Sequence, residues 1–336
     1  MAKAPHIRRS PKSVLEHDTE ITIPKLKREL DHSRQAFCSP DFIGSIRDER
    51  FRKLVAHARR NCLFYRRRYE RELVESIRGV EDLHMLPMLS RKDVQENLES
   101  IAATGLKDLS HCNGYSTSGS SGVPLTVLRS REAMMYDPGM MRLMAERHDI
   151  PLELSPDRPA IFFFVDLENY GCLYQRIAML DLGEDYRFGL GSPSWDGPMH
   201  MLEFLTTWPG AVLSSNPQSL TRLLEFYDEE DPKGEYPLRP AFVLSGGAEL
   251  TDGQAKKFSD FFQAPVIDSY GTVETGVVGF QCAKSRAFHV EENVAIVECL
   301  DPEGKPVPDG EVGEIVLTDL RNPEFPMIRY RIGDFG

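Results

Sequence analysis

Between residues 160 and 270 the sequence alternates short apolar strands with helices, and this alternation limits the fold more than any other feature. PAIFFFV, GAVLSS, PAFVLSGG and PVIDSYG each have the pattern of a buried strand. Asn216-Pro217 supplies a cap and a first-turn proline for one intervening helix, and Thr251 with Gln254 forms a capping box for the next. Because short strand–helix–strand connections favour parallel pairing, the pattern predicts an α/β fold with parallel sheets flanked by helices.

Two further regions flank this alternating core. From residue 49 to about residue 76 the apolar positions follow the spacing of one helix with a buried face. They are Phe51, Leu54, Val55, Ala58 and Cys62. A second helix is predicted to begin at Ser90, since Asp93 completes a capping box with it. After His289 the pattern changes to shorter strands separated by turn residues, which predicts a smaller β subdomain.

The composition narrows the classes of function. The 336 residues are 41% hydrophobic and 27% charged, as in an ordinary soluble protein. A formal net charge of −12 argues against a nucleic-acid surface, although a local group of backbone N–H donors can still bind phosphates. The basic N-terminus is followed by no apolar segment, and no apolar run is long enough to span a membrane, so a cytoplasmic location is expected. Six scattered cysteines without a C-x-x-C pair favour free thiols over a zinc site or disulfides.

Four segments have residue types that suit the binding of a nucleotide. YSTSGSSGVP, from Tyr115, combines glycines and hydroxyl groups that can converge on phosphate oxygens. LSGGAEL, from Leu244, has a double glycine at the end of a strand, where a planar ligand can lie against bare backbone. Taken singly, the first is more often a surface loop and the second a β-to-α turn.

The other two segments follow strands in the same way. In DSYGTVE, Tyr270 can stack on a base, Gly271 allows a close approach, and the Glu274 carboxylate can bind a divalent cation. In RYRIGDFG, the Asp334 carboxylate can accept hydrogen bonds from two adjacent ribose hydroxyls. Taken singly, Tyr270 is equally typical of a tyrosine at the edge of the core, and Gly271 of a turn glycine. Glu274 is equally typical of a surface glutamate, and Asp334 of a Gly-Asp turn.

The order and spacing of the four segments resemble the signature of the adenylate-forming (AMP-binding) superfamily of acyl- and aryl-CoA ligases. That superfamily has a Ser/Thr/Gly phosphate loop, a Gly-Gly-Glu-like adenine segment, Tyr-Gly-x-x-Glu, and Tyr-Arg-x-Gly-Asp. Within the superfamily, three further stretches are most similar to the phenylacetate–CoA ligase and capsule-biosynthesis type. They are NCLFYRRRYERE, FHVEENVAIVE and PDGEVGEIVLTDLRNPEFPMIRYRIGD. The resemblance extends from about Phe51 to the last residue.

The resemblance implies a role for individual residues. The residues implied to bind the phosphates are Ser118, Gly119, Ser120, Ser121 and Gly122. The residues implied to bind adenine are Gly247, Ala248, Glu249, Asp268 and Tyr270, with Gly271 beside them. Glu274 is implied to bind Mg²⁺ and serve catalysis, and Asp334 to bind the ribose. The organisation implied is a flexible tail (1–22), a helical part of the large domain (23–110), an ATP-binding α/β core (111–288) and a β-rich subdomain (289–336).

The sequence departs from the family pattern in three ways. Val123 stands where a lysine or another polar residue is usual, and Val273 where threonine is usual. Relatives continue into a small C-terminal lid domain that supplies a lysine, whereas this sequence ends two residues after Asp334, so the expected fold is the large domain with the lid absent.

The function implied by the resemblance is ATP-dependent activation of a carboxylic acid, with an aryl acid favoured, to acyl-AMP, followed by transfer to CoA. Two alternatives stay open at this point: a non-catalytic nucleotide-binding protein, and transfer of the acyl group to a carrier protein or an amine in a biosynthetic pathway. The expected partners are therefore a small carboxylic acid with CoA or a carrier protein, and not nucleic acid or a membrane span.

Overall fold

A computed structural model of the chain describes residues 19–23, 26–103, 112–117, 125–155, 158–167, 172–183 and 185–336. The α-helices are α1 (Leu26–Cys38), α2 (Pro40–Asn61), α3 (Leu63–Arg68), α4 (Arg71–Ser76), α5 (Arg91–Ile101), α6 (Arg131–Arg147), α7 (Pro198–Leu205), α8 (Pro217–Glu230) and α9 (Asp252–Phe262), and Val80–Met85 is a 3₁₀ helix. The first strands are β1 (Thr19–Ile23), β2 (Cys112–Thr117), β3 (Leu125–Ser130), β4 (Ala160–Asp166), β5 (Leu173–Asp181), β6 (Tyr186–Leu190) and β7 (Val212–Ser215). The later strands are β8 (Phe242–Gly246), β9 (Val266–Thr272), β10 (Gly276–Gln281), β11 (Phe288–Val290), β12 (Ala295–Leu300), β13 (Glu314–Asp319) and β14 (Tyr330–Phe335).

The chain divides into two compact units. Unit 1 consists of residues 1–30, 138–270 and 280–287, and unit 2 of residues 31–137, 271–279 and 288–336. Residues 19–22, which fall within the predicted tail, belong to β1 of unit 1. The predicted domain boundaries after residues 22, 110 and 288 stay predictions.

A mixed sheet forms the centre of unit 1. Its strands lie in the order β1-β6-β5-β4-β7-β8-β9. The pairs β4–β7, β7–β8 and β8–β9 are parallel, as the alternating pattern predicts. On the other side of β4 the sheet is mixed, because β5, β6 and β1, which the strand–helix pattern does not cover, extend it by antiparallel pairing.

Helices α7, α8 and α9 cover one apolar surface of this sheet. Phe163 of β4, Leu213 of β7 and Val243 of β8 are buried in one cluster with Leu220 of α8 and Phe258 of α9. Both predicted helix starts are confirmed: the Asn216 side chain accepts a hydrogen bond from the N–H of Ser219, and Thr251 and Gln254 form the capping box. The α/β class is therefore confirmed, with β8 and β9 side by side.

The N-terminal helical region of unit 2 differs from the single long helix predicted from residue 49 to about residue 76. It consists of α2, α3 and α4, and the chain is extended at Cys62 and Tyr69. Cys62 forms an isolated antiparallel bridge with Ala103, which accounts for the break without any glycine or proline. The five apolar residues predicted to face the core are all buried, at 4% exposure or less.

The β-rich part of unit 2 agrees with the sequence pattern. Strands β12, β13 and β14 form a three-stranded antiparallel sheet in that order. The Ser90–Asp93 capping box at the start of α5 is also confirmed. The apolar residues of the N-terminal helices share a buried cluster with Phe325, Met327, Ile328 and Tyr330, which ties the start of this unit to β14.

Candidate nucleotide-binding site

The residues predicted to bind a nucleotide fall into three sets. Residues 118–122, the predicted phosphate loop, lie outside the described residues, as does Val123. Gly247, Ala248, Glu249, Asp268 and Tyr270 belong to unit 1, and Gly271, Glu274 and Asp334 to unit 2.

In unit 1 three of the predicted adenine residues follow the end of β8, whereas Asp268 and Tyr270 lie within β9 and not past it as predicted. Gly246, the last residue of β8, is opposite Ser269 of β9, and the Ser269 hydroxyl donates a hydrogen bond of 2.8 Å to the carbonyl oxygen of Ser245. A Cβ at Gly246 would lie 2.5 Å from the Ser269 Oγ, so the strands leave no room for a side chain there. Gly247 has a φ of +78°, and a Cβ built on it meets no atom within 4 Å. The backbone at Gly247 therefore faces open space, as the approach of a planar ligand requires.

Asp268 is the buried carboxylate of this set. It is the register partner of Ser245 and is 8% exposed. Burial raises the pKa of its carboxyl from 3.8 to about 6, an effect partly opposed by the hydrogen bond that the N–H of Ser269 donates to Oδ1. The Ser245 hydroxyl is fully buried and has no hydrogen-bond partner among the described residues. Glu249 is exposed and Tyr270 half-buried.

In unit 2 a tight hairpin presents Glu274. Strands β9 and β10 are hydrogen-bonded neighbours joined by the turn of residues 273–275. A Cβ at Gly271 would lie 2.5 Å from the carbonyl oxygen of Gly276 and 2.8 Å from the Cα of Val277. Gly271 is thus required by the approach of the two strands. Val273, at the tip of the turn, is 42% exposed.

The carboxylate of Glu274 is buried, so this residue is not the surface glutamate that its sequence position alone would suggest. The residue is 7% exposed, and the phenol of Tyr330 donates a hydrogen bond of 3.1 Å to its Oε1. A guanidinium nitrogen of Arg91 lies 4.0 Å from the same oxygen. Burial, and next the negative charge of Glu274, raise the pKa of the Tyr330 phenol above its usual range, so the phenol is the donor at neutral pH.

Backbone pairing positions both partners of Glu274. Leu89 donates its N–H to the carbonyl of Arg329 at 2.8 Å and accepts from the N–H of Arg331 at 2.9 Å, so that Leu89 is fixed beside Tyr330. Arg91 begins α5 two residues further along. The side chain of Arg329 is held by both carboxylate oxygens of Glu298, at 3.0 and 2.8 Å.

A buried network of charged side chains binds the residues that follow Glu274 in the hairpin. The guanidinium of Arg321 donates to the carbonyls of Thr275 and Val277, and its Nε donates to Asp319 at 2.8 Å. Asp137 accepts from the N–H of Val277 at 3.3 Å and forms an ion pair with Arg129 at 3.1 Å. The backbone immediately after Glu274 is therefore fixed by charged hydrogen bonds.

Asp334 lies near the end of β14, four residues after Tyr330. Its side chain is exposed, and the preceding Gly333 has a φ of +92°. The strand pairs with β13 through Tyr330 and Arg331, and the register shifts before Phe335. Asp334 therefore stands at an irregular strand end that is accessible to a ligand.

Tyr330, Arg91 and Arg321 are the site residues that sequence reasoning missed. Tyr330 stands within the predicted Tyr-Arg-x-Gly-Asp segment, but no local pattern indicates its contact with Glu274. Arg91 directly follows the predicted cap Ser90, and nothing in that position signals a charge partner. Among the described residues no group of three or more His, Cys, Asp or Glu side chains has the arrangement of a metal site. Cys62, Cys112, Cys172, Cys282 and Cys299 are free thiols.

Comparison with known proteins identifies the class. The AMP-binding enzyme family matches residues 45–320, most of the chain. The chain therefore belongs to the AMP-binding family, as the resemblance implied. Within the described residues, no helix is long and apolar enough to cross a membrane.

The relatives found by sequence are phenylacetate–coenzyme A ligases. The one from Thermus thermophilus is 23% identical over 299 residues, which cover 87% of this chain and 65% of the relative. The one from Pseudomonas putida is 29% identical over 118 residues, 33% of this chain and 27% of the relative. The similarity to the phenylacetate–CoA ligase type is thus confirmed, and the chain spans just under two thirds of the length of the Thermus relative.

Solved structures show the same fold. The structure of 2-hydroxyisobutyryl-CoA ligase in the postadenylation state matches with a TM-score of 0.60 and 16% identity, over 88% of this chain and 63% of that one. Its open conformation matches with a TM-score of 0.58 and 17% identity, over 85% of this chain and 68% of that one. At these identities the likeness is one of fold.

Proposed function

We propose that this chain binds ATP and activates a carboxylic acid as an acyl-AMP, which is then transferred to CoA. The observation that carries the proposal is the buried carboxylate of Glu274, oriented by Tyr330 at 3.1 Å, in the segment where the family resemblance expects a metal ligand. A buried carboxylate needs hydrogen-bonding or charged partners. Both partners of Glu274 contact the same oxygen, Oε1, with the Tyr330 phenol at 3.1 Å and the Arg91 nitrogen at 4.0 Å.

The nucleotide contacts proposed for unit 1 are those to adenine. Gly247 offers bare backbone to the face of the base, with Ala248 and Glu249 following it in the loop after β8. Asp268 and Tyr270, both within β9, are proposed to border the base. Residues 118–122 are proposed to bind the phosphates by their hydroxyl and N–H groups.

In unit 2, Asp334 is proposed to bind the ribose. A carboxylate accepts hydrogen bonds from two adjacent hydroxyls, and Asp334 is exposed. Gly271 is proposed to lie close to the nucleotide because its missing side chain keeps the hairpin narrow.

The surroundings of Glu274 fit Mg²⁺ rather than an all-protein metal cage. Mg²⁺ usually binds one or two carboxylates, several waters and substrate phosphates. A single oriented carboxylate is compatible with this donor set. When bound, Mg²⁺ would neutralise negative charge on the phosphates.

The chemistry required of the protein is mostly positioning. The carboxylate of the acid attacks the α-phosphate, pyrophosphate leaves, and no side chain needs to act as a nucleophile. An aryl acid is the proposed substrate class, since the relatives found by sequence are phenylacetate–CoA ligases. CoA is proposed as the acceptor on the same ground.

The test is release of pyrophosphate from ATP by the purified protein in the presence of a panel of aryl and alkyl acids. We expect acid-dependent release that requires Mg²⁺ and is strongest with aryl acids, followed by thioester formation when CoA is added. ATP should also raise the melting temperature, because a ligand of the folded state stabilises it by mass action. A raised melting temperature without any acid-dependent release would indicate nucleotide binding alone and contradict the proposed activity.

A further inference from the structure

A cavity among the short N-terminal helices of unit 2 is lined mainly by arginines. It has a volume of about 400 Å³ and lies between α2, α3 and α4. Arg59 and Arg60 come from α2, Arg66 from α3, and Arg71 from α4, while Glu75 is the single acidic residue of the lining. Such a concentration of positive charge is unusual in a chain whose formal net charge is −12.

Two of the four guanidinium groups are oriented by hydrogen bonds to the backbone. The Nε of Arg59 donates to the carbonyl of Tyr69 at 3.1 Å, and Arg66 donates to the carbonyl of Arg60. Tyr69 is 1% exposed and lies in the buried cluster of the unit. The wall of the cavity is therefore attached to the core, which reduces the ordering cost of binding a ligand.

Helix ends explain only part of this arrangement. Arg59 and Arg60 lie in the last turn of α2 and Arg66 in the last turn of α3, where the partial negative charge of a helix terminus favours cations. Arg71 lies at the start of α4, where that effect is reversed, and its charge is partly offset by Glu75 at 2.6 Å. Four cations on one concave surface repel one another, and an anion in the cavity relieves that repulsion.

We propose that this cavity binds a small molecule carrying at least two phosphate groups. Guanidinium groups match phosphate oxygens with paired hydrogen bonds, so four of them suit more than one phosphate. The cavity also falls within the range of about 300–1,000 Å³ typical of small-molecule sites. The site does not depend on the proposed nucleotide site, because none of its lining residues belongs to the four motif segments.

The experiment is calorimetric titration of the full chain with orthophosphate, pyrophosphate and adenosine 3′,5′-bisphosphate, in EDTA and at two ionic strengths. Pyrophosphate and the bisphosphate should bind more tightly than orthophosphate, and higher ionic strength should weaken all three. A preference for pyrophosphate would indicate a free polyphosphate as the ligand, and a preference for the bisphosphate would indicate a phosphorylated nucleotide.

Variants locate the binding. Arg60→Gln/Arg66→Gln should weaken pyrophosphate binding by about tenfold or more, since each removes a charged hydrogen-bond donor from an exposed position. Glu75→Gln should tighten binding severalfold, an effect that misfolding cannot mimic. Arg52→Gln/Arg78→Gln removes two exposed arginines outside the cavity and should leave binding unchanged. The proposal is overturned if the wild-type chain binds none of the three anions, or if the Arg60/Arg66 double variant binds them as well as the wild type.

Discussion

The phenol of Tyr330 and the carboxylate of Glu274 are joined by a hydrogen bond of 3.1 Å, although 56 residues separate them along the chain. The bond connects two motif segments that sequence comparison treats as independent. Glu274 is proposed to bind the metal, and Asp334, on the same strand as Tyr330, to bind the ribose. Tyr330 is therefore a positioning residue that ties the orientation of Glu274 to β14.

Tyr330→Phe removes this hydrogen bond and keeps the ring. We expect the affinity for ATP with Mg²⁺ to fall roughly fivefold, equivalent to about 1 kcal/mol for one hydrogen bond, while the affinity for AMP changes little. Calorimetric titration with both nucleotides measures this ratio. Tyr65→Phe is the matched control, because the Tyr65 phenol also donates a buried bond, at 2.6 Å to the carbonyl of Pro326. If both variants shift the ratio equally, the effect is one of general stability.

Glu274→Gln tests the metal assignment more directly. Glutamine keeps an acceptor for Tyr330 but loses the negative charge, so binding of ATP with Mg²⁺ should weaken by about tenfold or more and AMP binding should be nearly unchanged. The Mg²⁺ concentration required for half-maximal pyrophosphate release should rise in parallel. Equal losses for ATP and AMP would argue for a structural role of the carboxylate.

Asp334→Ala removes the proposed ribose contact. The affinity for both ATP and AMP should fall roughly 10- to 100-fold, because hydrogen bonds to a charged group are worth about 1.5–3 kcal/mol. The melting temperature without nucleotide should stay the same, since the side chain is exposed. Asp309→Ala, at another exposed aspartate of unit 2, is the control. Unchanged nucleotide affinity in Asp334→Ala would remove this residue from the site.

The raised pKa of Asp268 predicts a pH dependence of stability. Between 3.8 and about 6 the folded protein retains a proton that the unfolded chain has lost, so the free energy of unfolding falls as the pH rises through this window. Asp268→Asn abolishes this titration, and the variant should gain stability relative to the wild type between pH 4 and pH 7. Urea unfolding at several pH values measures the difference, with Asp228→Asn, at an exposed aspartate of unit 1, as the control. A constant difference across this pH range would contradict the prediction.

Gly271→Ala should destabilise unit 2. The added methyl group would lie 2.5 Å from the Gly276 carbonyl oxygen, and the strands can accommodate it only by separating, at a cost of about 1–3 kcal/mol. Gly253→Ala in α9 is the control, because a Cβ there meets no atom within 4 Å and alanine favours a helix. Thermal unfolding should show a lower midpoint for the first variant and an unchanged or higher midpoint for the second. Equal midpoints for both would mean that the hairpin is looser than these distances indicate.

The parts of the fold that could be predicted are those with local patterns. Strands β7, β8 and β9 are apolar runs followed by glycines or caps, and their parallel pairing follows from the short helical connections. Strand β4 is also an apolar run, but β5, β6 and α7 lie between it and β7 in the chain. Strand β5 has no such run, because Gln175 and Arg176 interrupt it, although Arg176 is buried. The break at Cys62 depends on a bridge to Ala103 from a distant part of the chain, which helical spacing cannot reveal.

The candidate site also has features that the sequence reveals and features that it does not. Glycine positions and acidic residues after strands are visible in the sequence because backbone geometry requires them locally. The burial of Glu274 is not visible, since it results from Tyr330, Arg91 and the Arg321 network, each contributed by another segment. Spacing therefore indicates candidate residues for the site, whereas long-range pairing decides how their side chains are oriented.

The pairing of Leu89 with Arg329 and Arg331 has a consequence for how the protein is made. The helices α2 to α5 leave the ribosome long before β14, yet their apolar residues share one cluster with Phe325, Met327, Ile328 and Tyr330. Until translation reaches Tyr330, part of the apolar surface of the nascent helices has no partner, and contacts of such long sequence separation form slowly. We therefore expect unit 2 to complete its folding only once β14 has left the ribosome, and the nascent chain to be a client of chaperones that recognise exposed apolar segments.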